Sequence, residues 1–258
     1  MDTKFWGPSG WKMLHLITFR YNPSNKKSMR DFFSSMPYIL PCKFCRTSLT
    51  EYMEEDPLEP ALASRDSLSL WLWRIHNKVN NKLRSQGLMK EPDTPFNTVR
   101  EAYKEDPKEF QGWDFLFSIA EGHPYSRLSM KSIPMKDCPP NAQTDCMVQK
   151  NKWNIMKPSE RYGIYIKFWE SIGKVLPYPW DSWNACNFNI KSLDTRAGLI
   201  KQLWKIKCCM EGVNKGFKGL CKRLASHRSG CSTKKKGKDL SKNKKGIKNT
   251  HYILVCHI

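Results

Sequence analysis

Cys42-Lys43-Phe44-Cys45, directly after Pro41, sets two reactive side chains at a spacing that does chemistry. Two intervening residues let the sulfurs close into a disulfide without rearranging the backbone. A thiol at the start of a helix is held toward thiolate by the positive end of the helix dipole. Lys43 and Arg46 add positive charge in the same direction. Thiolate is the attacking species, and the pKa of the leaving thiol sets how readily a bridge opens. The motif therefore reads as a redox pair. A zinc half-site is the alternative, and it needs two further ligands. The nearest candidates, Cys138 and Cys146, have seven residues between them, which is not a usual zinc spacing. A thioredoxin-like setting needs a β-strand before the pair, whereas residues 26–36 read as helix.

A second group of polar residues sits where an ordinary helical bundle would place apolar ones. His76, Asn77 and Asn80 fall within about one turn, flanked by Trp73 and Lys82. His76 and Asn80 are four apart and share a face, as do Trp73 and Asn77 on the neighbouring one. Trp11 and His15 repeat the same spacing near the N-terminus. Two faces, each with an aromatic ring and a hydrogen-bonding ring, suit a planar, polar-edged ligand held between helices. The plainer reading is that these are core aromatics and satisfied core histidines.

The elements that must position these residues are helical. Trp11, Leu14, His15 and Thr18 repeat at helical steps after Pro8, which is expected in the first turn, and stop at Asn22-Pro23. A second helix is expected over residues 26–36, and a third from just after Pro41, through Cys42 and Cys45, to about Tyr52. The fourth is the clearest: Asp66 caps it, Leu68, Trp71, Leu72, Ile75, Val79 and Leu83 form one apolar stripe, and Gly87 stops it. A short fifth helix is expected over residues 98–104. Residues 121–158 read as loop, and residues 159–176 and 193–226 as helical.

Trp6-Gly7-Pro8 with Trp11, Leu14 and His15, then Pro41-Cys42-Lys43-Phe44-Cys45, then His76-Asn77-Lys78-Val79-Asn80-Asn81-Lys82-Leu83 occur together and in order. The combination resembles the Erv/ALR sulfhydryl oxidases over about residues 5–105. Lys90-Glu91-Pro92 with Phe96 and Tyr103 is similar to the family's segment after its fourth helix. An oxidase domain followed by an unrelated helical extension is similar to the versions carried by giant DNA viruses.

This resemblance implies a mostly α protein whose FAD-binding four-helix bundle, with a short fifth helix, occupies residues 1–105. A smaller helical domain over 106–228 and a basic tail over 229–258 would follow. Trp11 and His15 would contact the flavin, and His76, Asn77 and Asn80 would hold the adenine and ribose side. Lys82 and Lys90 would lie near the phosphates, while Gly7, Trp73, Val79 and Leu83 would complete the cofactor site. Cys45 would be proximal to the flavin ring, and Cys42 the outer sulfur that exchanges with an incoming dithiol. Electrons would pass from protein thiols, directly or through a thioredoxin-like carrier, to FAD and on to O2, giving H2O2, in a homodimer with no metal. Cys138 and Cys146 are candidates for a second, relaying pair. Two departures stand out: Leu40 occupies a position often held by Tyr, and Ser67 one often held by the first cysteine of a bracing disulfide. No Cys occurs between Cys45 and Cys138, so that brace is missing at both ends.

Bulk properties bound the rest. The chain has 258 residues and a formal charge of +20. Residues 215–258 hold 13 Lys and Arg against 1 Asp, so the basicity belongs mainly to the tail. Such a tail is a candidate for nucleic-acid binding through non-specific charge contacts, though a charge run is more often a solvated segment. A zinc-stabilised, non-enzymatic module that binds nucleic acid through the tail is therefore the alternative function. No run of 18 apolar residues exists to span a membrane, and residues 1–6 lack a signal-peptide core. An intracellular protein is expected, in host cytoplasm or virion if the source is viral. The ten cysteines, read without a secretory signal, point to redox chemistry or metal before structural disulfides. Cys208-Cys209, Cys221, Cys231 and Cys256 are the other candidates for a relaying pair, and the plainer reading of Cys186, Cys208 and Cys221 is that they are small buried hydrophobes.

Overall fold

The computed structural model describes residues 2–126, 156–213 and 216–228. The Cys138/Cys146 pair and the tail from residue 229 lie outside them. Among the described residues every regular element is helical.

Helix α1 spans Thr3–Phe19 and is capped by the Asp2 carboxylate, which accepts from the Lys4 N–H at 3.0 Å. It begins earlier than expected, so Pro8 lies inside it and removes one backbone hydrogen bond rather than opening the first turn. Helix α2 (Lys26–Ile39) buries Met29, Phe32, Phe33, Met36 and Ile39 at helical steps and carries Pro37 within it. Helix α3 (Lys43–Glu55) starts immediately after Cys42, which is its N-cap residue. A short turn, α4 (Leu58–Ala61), leads into α5 (Arg65–Ser85). The cap of α5 is Ser64 rather than Asp66. Ser64 Oγ accepts from the Ser67 N–H at 3.1 Å, and Ser67 Oγ accepts from the Ser64 N–H at 2.9 Å. The helix ends just short of Gly87. Helix α6 (Phe96–Ala102) follows, starting two residues before the expected fifth helix.

Helix α7 (Trp113–Glu121) was not foreseen from periodicity, and its burial explains why. Phe115, Leu116, Phe117, Ile119 and Ala120 are all fully enclosed, and a buried apolar run this short does not distinguish helix from strand by its period. Its start is joined to α1 through Ser9, whose hydroxyl donates to the Gln111 carbonyl at 2.7 Å and accepts from the Phe115 N–H at 3.1 Å. The Phe115 ring packs against the α1 backbone at Gly10, where a Cβ would meet it at 3.0 Å.

Helix α8 (Pro158–Val175) lies along α2, with Phe168 stacked on Phe32 at 5.4 Å. Two 3-10 segments, Trp180–Cys186 and Ile190–Asp194, lead to α9 (Arg196–Glu211) and α10 (Phe217–His227). The helix expected over residues 193–226 is thus two helices, broken at Gly212, which has φ +66°. Glu121 ties these parts together: its buried carboxylate accepts from Arg196 at 2.7 Å and from Arg228 at 2.9 and 3.1 Å. Packing runs across residue 105, because a single apolar cluster includes Ile17, Phe32, Leu72, Phe115, Trp169 and Leu203.

The C-terminal cysteines differ from expectation. Cys186 is bonded to Cys209, with Cα atoms 5.9 Å apart, rather than being a lone buried thiol. Neighbouring side chains on a helix diverge by about 100°, so Cys209 reaches Cys186 while Cys208 does not. Cys208 is partly exposed and Cys221 exposed.

Candidate functional site

Helices α1 and α5 bring three of the expected rings together. Trp11 stacks on His76 with centroids 3.8 Å apart and planes 13° from parallel. His15 and His76 share a hydrogen bond, Nε2 to Nδ1, at 3.1 Å. Tyr103, at the end of α6, lies against His15 at 5.7 Å and stacks on Phe19 at 5.3 Å.

Both imidazoles are buried, His15 at 2% exposure and His76 at 9%. Burial pushes the His15 pKa well below its ordinary value, helped by the nearby His76, and burial alone lowers His76 to about 3. Both rings are therefore neutral at pH 7, each with one N–H and one lone pair. Their shared bond uses one of each, which leaves one buried N–H and one buried lone pair over. The leftover atoms are His15 Nδ1 and His76 Nε2, and neither has a hydrogen-bond partner among the described residues. Buried polar atoms in this condition are uncommon and cost stability unless a ligand engages them.

Asn80, one turn beyond His76, repeats the pattern. Its amide donates to Asp93 Oδ1 at 3.0 Å, while its buried Oδ1 has no partner among the described residues. Asp93 is itself held by Arg84 at 2.8 Å. Expectation placed Val79 and Leu83 on the buried stripe of α5, yet beyond Ile75 the buried positions are His76 and Asn80. The polar residues have taken the inward face.

The other expected contacts are distributed differently. Gly7 lies one turn before Trp11 with open space beside it. Trp73 is turned toward α6, donating from Nε1 to the Thr94 carbonyl at 2.8 Å and packing edge-on against Phe96. It does not join Trp11 and His76. Asn77 is half-buried, and Lys90 is exposed. Lys82 donates to Ser48 Oγ on α3 at 2.6 Å.

The cysteine pair begins α3. Cys42 is 4% exposed and belongs to the apolar core, while Cys45, in the first turn, is partly exposed. Of the two sulfurs, the one expected to meet an incoming dithiol is thus the deeper in a single chain. Arg46 folds back and donates from Nη1 to the Leu40 carbonyl at 2.6 Å, which fixes the turn that carries the pair and keeps a buried cation beside it. Among the described residues, no group of three or more His, Cys, Asp or Glu is placed to hold a metal. No described helix is long and apolar enough to cross a membrane.

Residues that pattern reading passed over include Ser48, Tyr52, Asp93 and Tyr103's ring contact with His15. Ser48 and Tyr52 stand three and seven positions after Cys45, a spacing that marks one helix face and was available in the sequence.

Residues 8–104 match the Erv1 / Alr family. A protein of Invertebrate iridescent virus 3, named as an FAD-linked sulfhydryl oxidase, is 32% identical over 108 residues, covering 40% of this chain and 69% of the relative. One of Acanthamoeba polyphaga mimivirus, also named as an FAD-linked sulfhydryl oxidase, is 36% identical over 85 residues, covering 31% of this chain and 59% of the relative. The mitochondrial FAD-linked sulfhydryl oxidase ERV1 of Saccharomyces cerevisiae is 33% identical over 87 residues, covering 32% of this chain and 45% of the relative. No solved structure matches.

Proposed function

The chain belongs to the Erv1 / Alr family, and from that premise we propose that it is an FAD-linked sulfhydryl oxidase acting on protein thiols. The observation that carries the proposal is the set of unpartnered polar atoms at His15 Nδ1, His76 Nε2 and Asn80 Oδ1, buried beside the stacked Trp11. A flat heterocycle with alternating donors and acceptors along its edge suits such a lining, and FAD provides two of them. When bound, FAD supplies the two-electron acceptor chemistry and the route to O2, with H2O2 as product.

The chain's own residues would act as follows. The stacked pair Trp11 and His76 would lie to one side of a ring, and His15 and Asn80 would bond its edge. A substrate thiolate would attack Cys42 of the Cys42–Cys45 bridge, forming a mixed disulfide as the S–S bond breaks and Cys45 leaves as thiolate. A second substrate thiol would release its disulfide and return Cys42 to the thiol. Because Cys42 is buried in the single chain, attack requires movement of the 40–42 turn.

The family resemblance also supports a homodimer, and a relay from Cys138 and Cys146 to the core pair. A thioredoxin-like carrier is the partner class that dithiol exchange at Cys42 would admit.

The test is direct. Purified protein should carry flavin and consume oxygen when given dithiothreitol. Cys45→Ser should retain the flavin and lose more than 100-fold of this activity, a scale set by removing an essential nucleophile, about 10² or more. Colourless, inactive wild-type protein would contradict the proposal.

A further inference from the structure

Behind Asn80 stands an ion pair that the lining itself does not include. Arg84 lies one turn beyond Asn80 on the same face of α5. The connection from α5 to α6 turns at Gly87, φ +68°, and brings Asp93 against both side chains. Arg84 grips the Asp93 carboxylate with two parallel bonds, Nη1 to Oδ1 at 3.0 Å and Nη2 to Oδ2 at 2.8 Å. The same guanidinium donates to the Glu91 carbonyl at 3.0 Å and to Asn81 Oδ1. The next residue, Thr94, is held through its carbonyl by the Trp73 indole at 2.8 Å. Asp93 is thus fixed from both sides.

That carboxylate dictates which way the Asn80 amide points. An ionised carboxylate only accepts, whereas an amide has a donating NH2 at one end and an accepting oxygen at the other. Burial pushes the Asp93 carboxyl up, but the hydrogen bonds from Arg84 and Asn80 outweigh it and hold the group below its ordinary pKa. The Asn80 atom that meets Asp93 Oδ1 at 3.0 Å is therefore Nδ2, since a flipped amide would set two acceptors against each other. Oδ1 is left as the buried atom with no partner among the described residues, one turn from His76 Nε2, which is in the same condition.

We infer that Asp93, gripped by Arg84, is a positioning residue that presents the Asn80 carbonyl to the cofactor site and so selects a ligand edge that donates an N–H or O–H there. A ring-nitrogen lone pair or a phosphate oxygen at the same place would be repelled. FAD carries donors of the required kind in its adenine amine and ribose hydroxyls. Family resemblance implies a cofactor contact at Asn80; Asp93 and Arg84 decide the polarity of that contact. The identity of the ligand rests on the oxidase reading, whereas the orientation of the amide does not.

The test is a double-mutant cycle on Asn80 and Asp93 in the full chain, with FAD affinity read by fluorescence titration of the flavin-free protein. Asp93→Ala should weaken FAD binding by about 3- to 10-fold, the range of one hydrogen bond, and should have no further effect in chains already carrying Asn80→Ala. The swap Asn80→Asp with Asp93→Asn sets an acceptor-only group at the lining and an amide behind it, and should bind FAD more tightly than Asn80→Ala. Thermal melting of each variant checks that the fold is intact. If Asp93→Ala binds FAD as wild type does, weakens it equally without Asn80, or the swap binds worse than Asn80→Ala, the inference is overturned while the oxidase reading stands. Urea unfolding of the same flavin-free chains gives a second reading that needs no cofactor: the two Ala substitutions should lower stability by less together than the sum of each alone. If wild type binds no FAD, the oxidase reading fails, and this coupling alone decides the positioning role, its absence overturning it.

Discussion

His15 and His76 meet nitrogen to nitrogen at 3.1 Å across the α1–α5 interface, and each is left with one buried ring nitrogen that bonds nothing among the described residues. Two neutral rings joined by one bond must leave a donor and an acceptor over. The arrangement costs the fold stability, and the cost has a pH signature.

Because both folded-state pKa values lie below the ordinary 6.5, with His76 at about 3, the unfolded chain binds protons that the folded chain refuses. This part of the stability is complete above about pH 6.5 and is lost as pH falls toward 3, at up to about 1.4 kcal/mol per pH unit for each ring. Urea unfolding at pH 7 and pH 5 should show the drop. His76→Asn should flatten it.

Trp11 and His76 are stacked at 3.8 Å, so they act on a ligand as a unit. Trp11→Ala and His76→Ala should each remove most of the bound flavin, and the double variant should be little worse than either single one. Flavin content per chain after desalting is the measurement. Additive losses would indicate separate sites.

Cys42 is 4% exposed and Cys45 is partly open. In the reduced wild-type chain, a small alkylating reagent should therefore label Cys45 before Cys42, by about 10-fold or more if access dominates. Faster labelling of Cys42 would show that the 40–42 turn opens readily.

The Cys186–Cys209 bridge closes a loop with a sequence separation of 23. Replacing both cysteines with Ser should cost about 3 kcal/mol by the chain-entropy relation. Flavin binding at α1 and α5 should be retained at temperatures below the lowered melting point. Scanning calorimetry alongside flavin absorbance tests both parts.

Legibility in the sequence followed the physics of each element. Helix α5 was readable because its apolar stripe, start and stop coincide, although Ser64 and Ser67 took the capping role assigned to Asp66. Helix α7 was unreadable because a short, mostly buried apolar run does not separate helix from strand by its period. Trp11, His15, His76 and Asn80 could be singled out as polar groups on faces that should be apolar. Their meeting across two helices 61 residues apart in sequence could not be derived from spacing alone. Trp73 shares its helix with His76 but was drawn to Phe96 and the Thr94 carbonyl. The Cys186–Cys209 bond escaped because the selection of Cys209 over its neighbour Cys208 depends on helix phase and tertiary placement.

The central claim is that the Cys42–Cys45 turn and the Trp11, His15, His76 lining serve one flavin. The most direct measurement is the visible spectrum of the purified full chain, anaerobically, before and after one equivalent of dithiothreitol. The account predicts a bound-flavin visible absorption band that bleaches in wild type and persists in Cys45→Ser. Bound flavin that bleaches equally fast in Cys45→Ser, or no bound flavin at all, would contradict it.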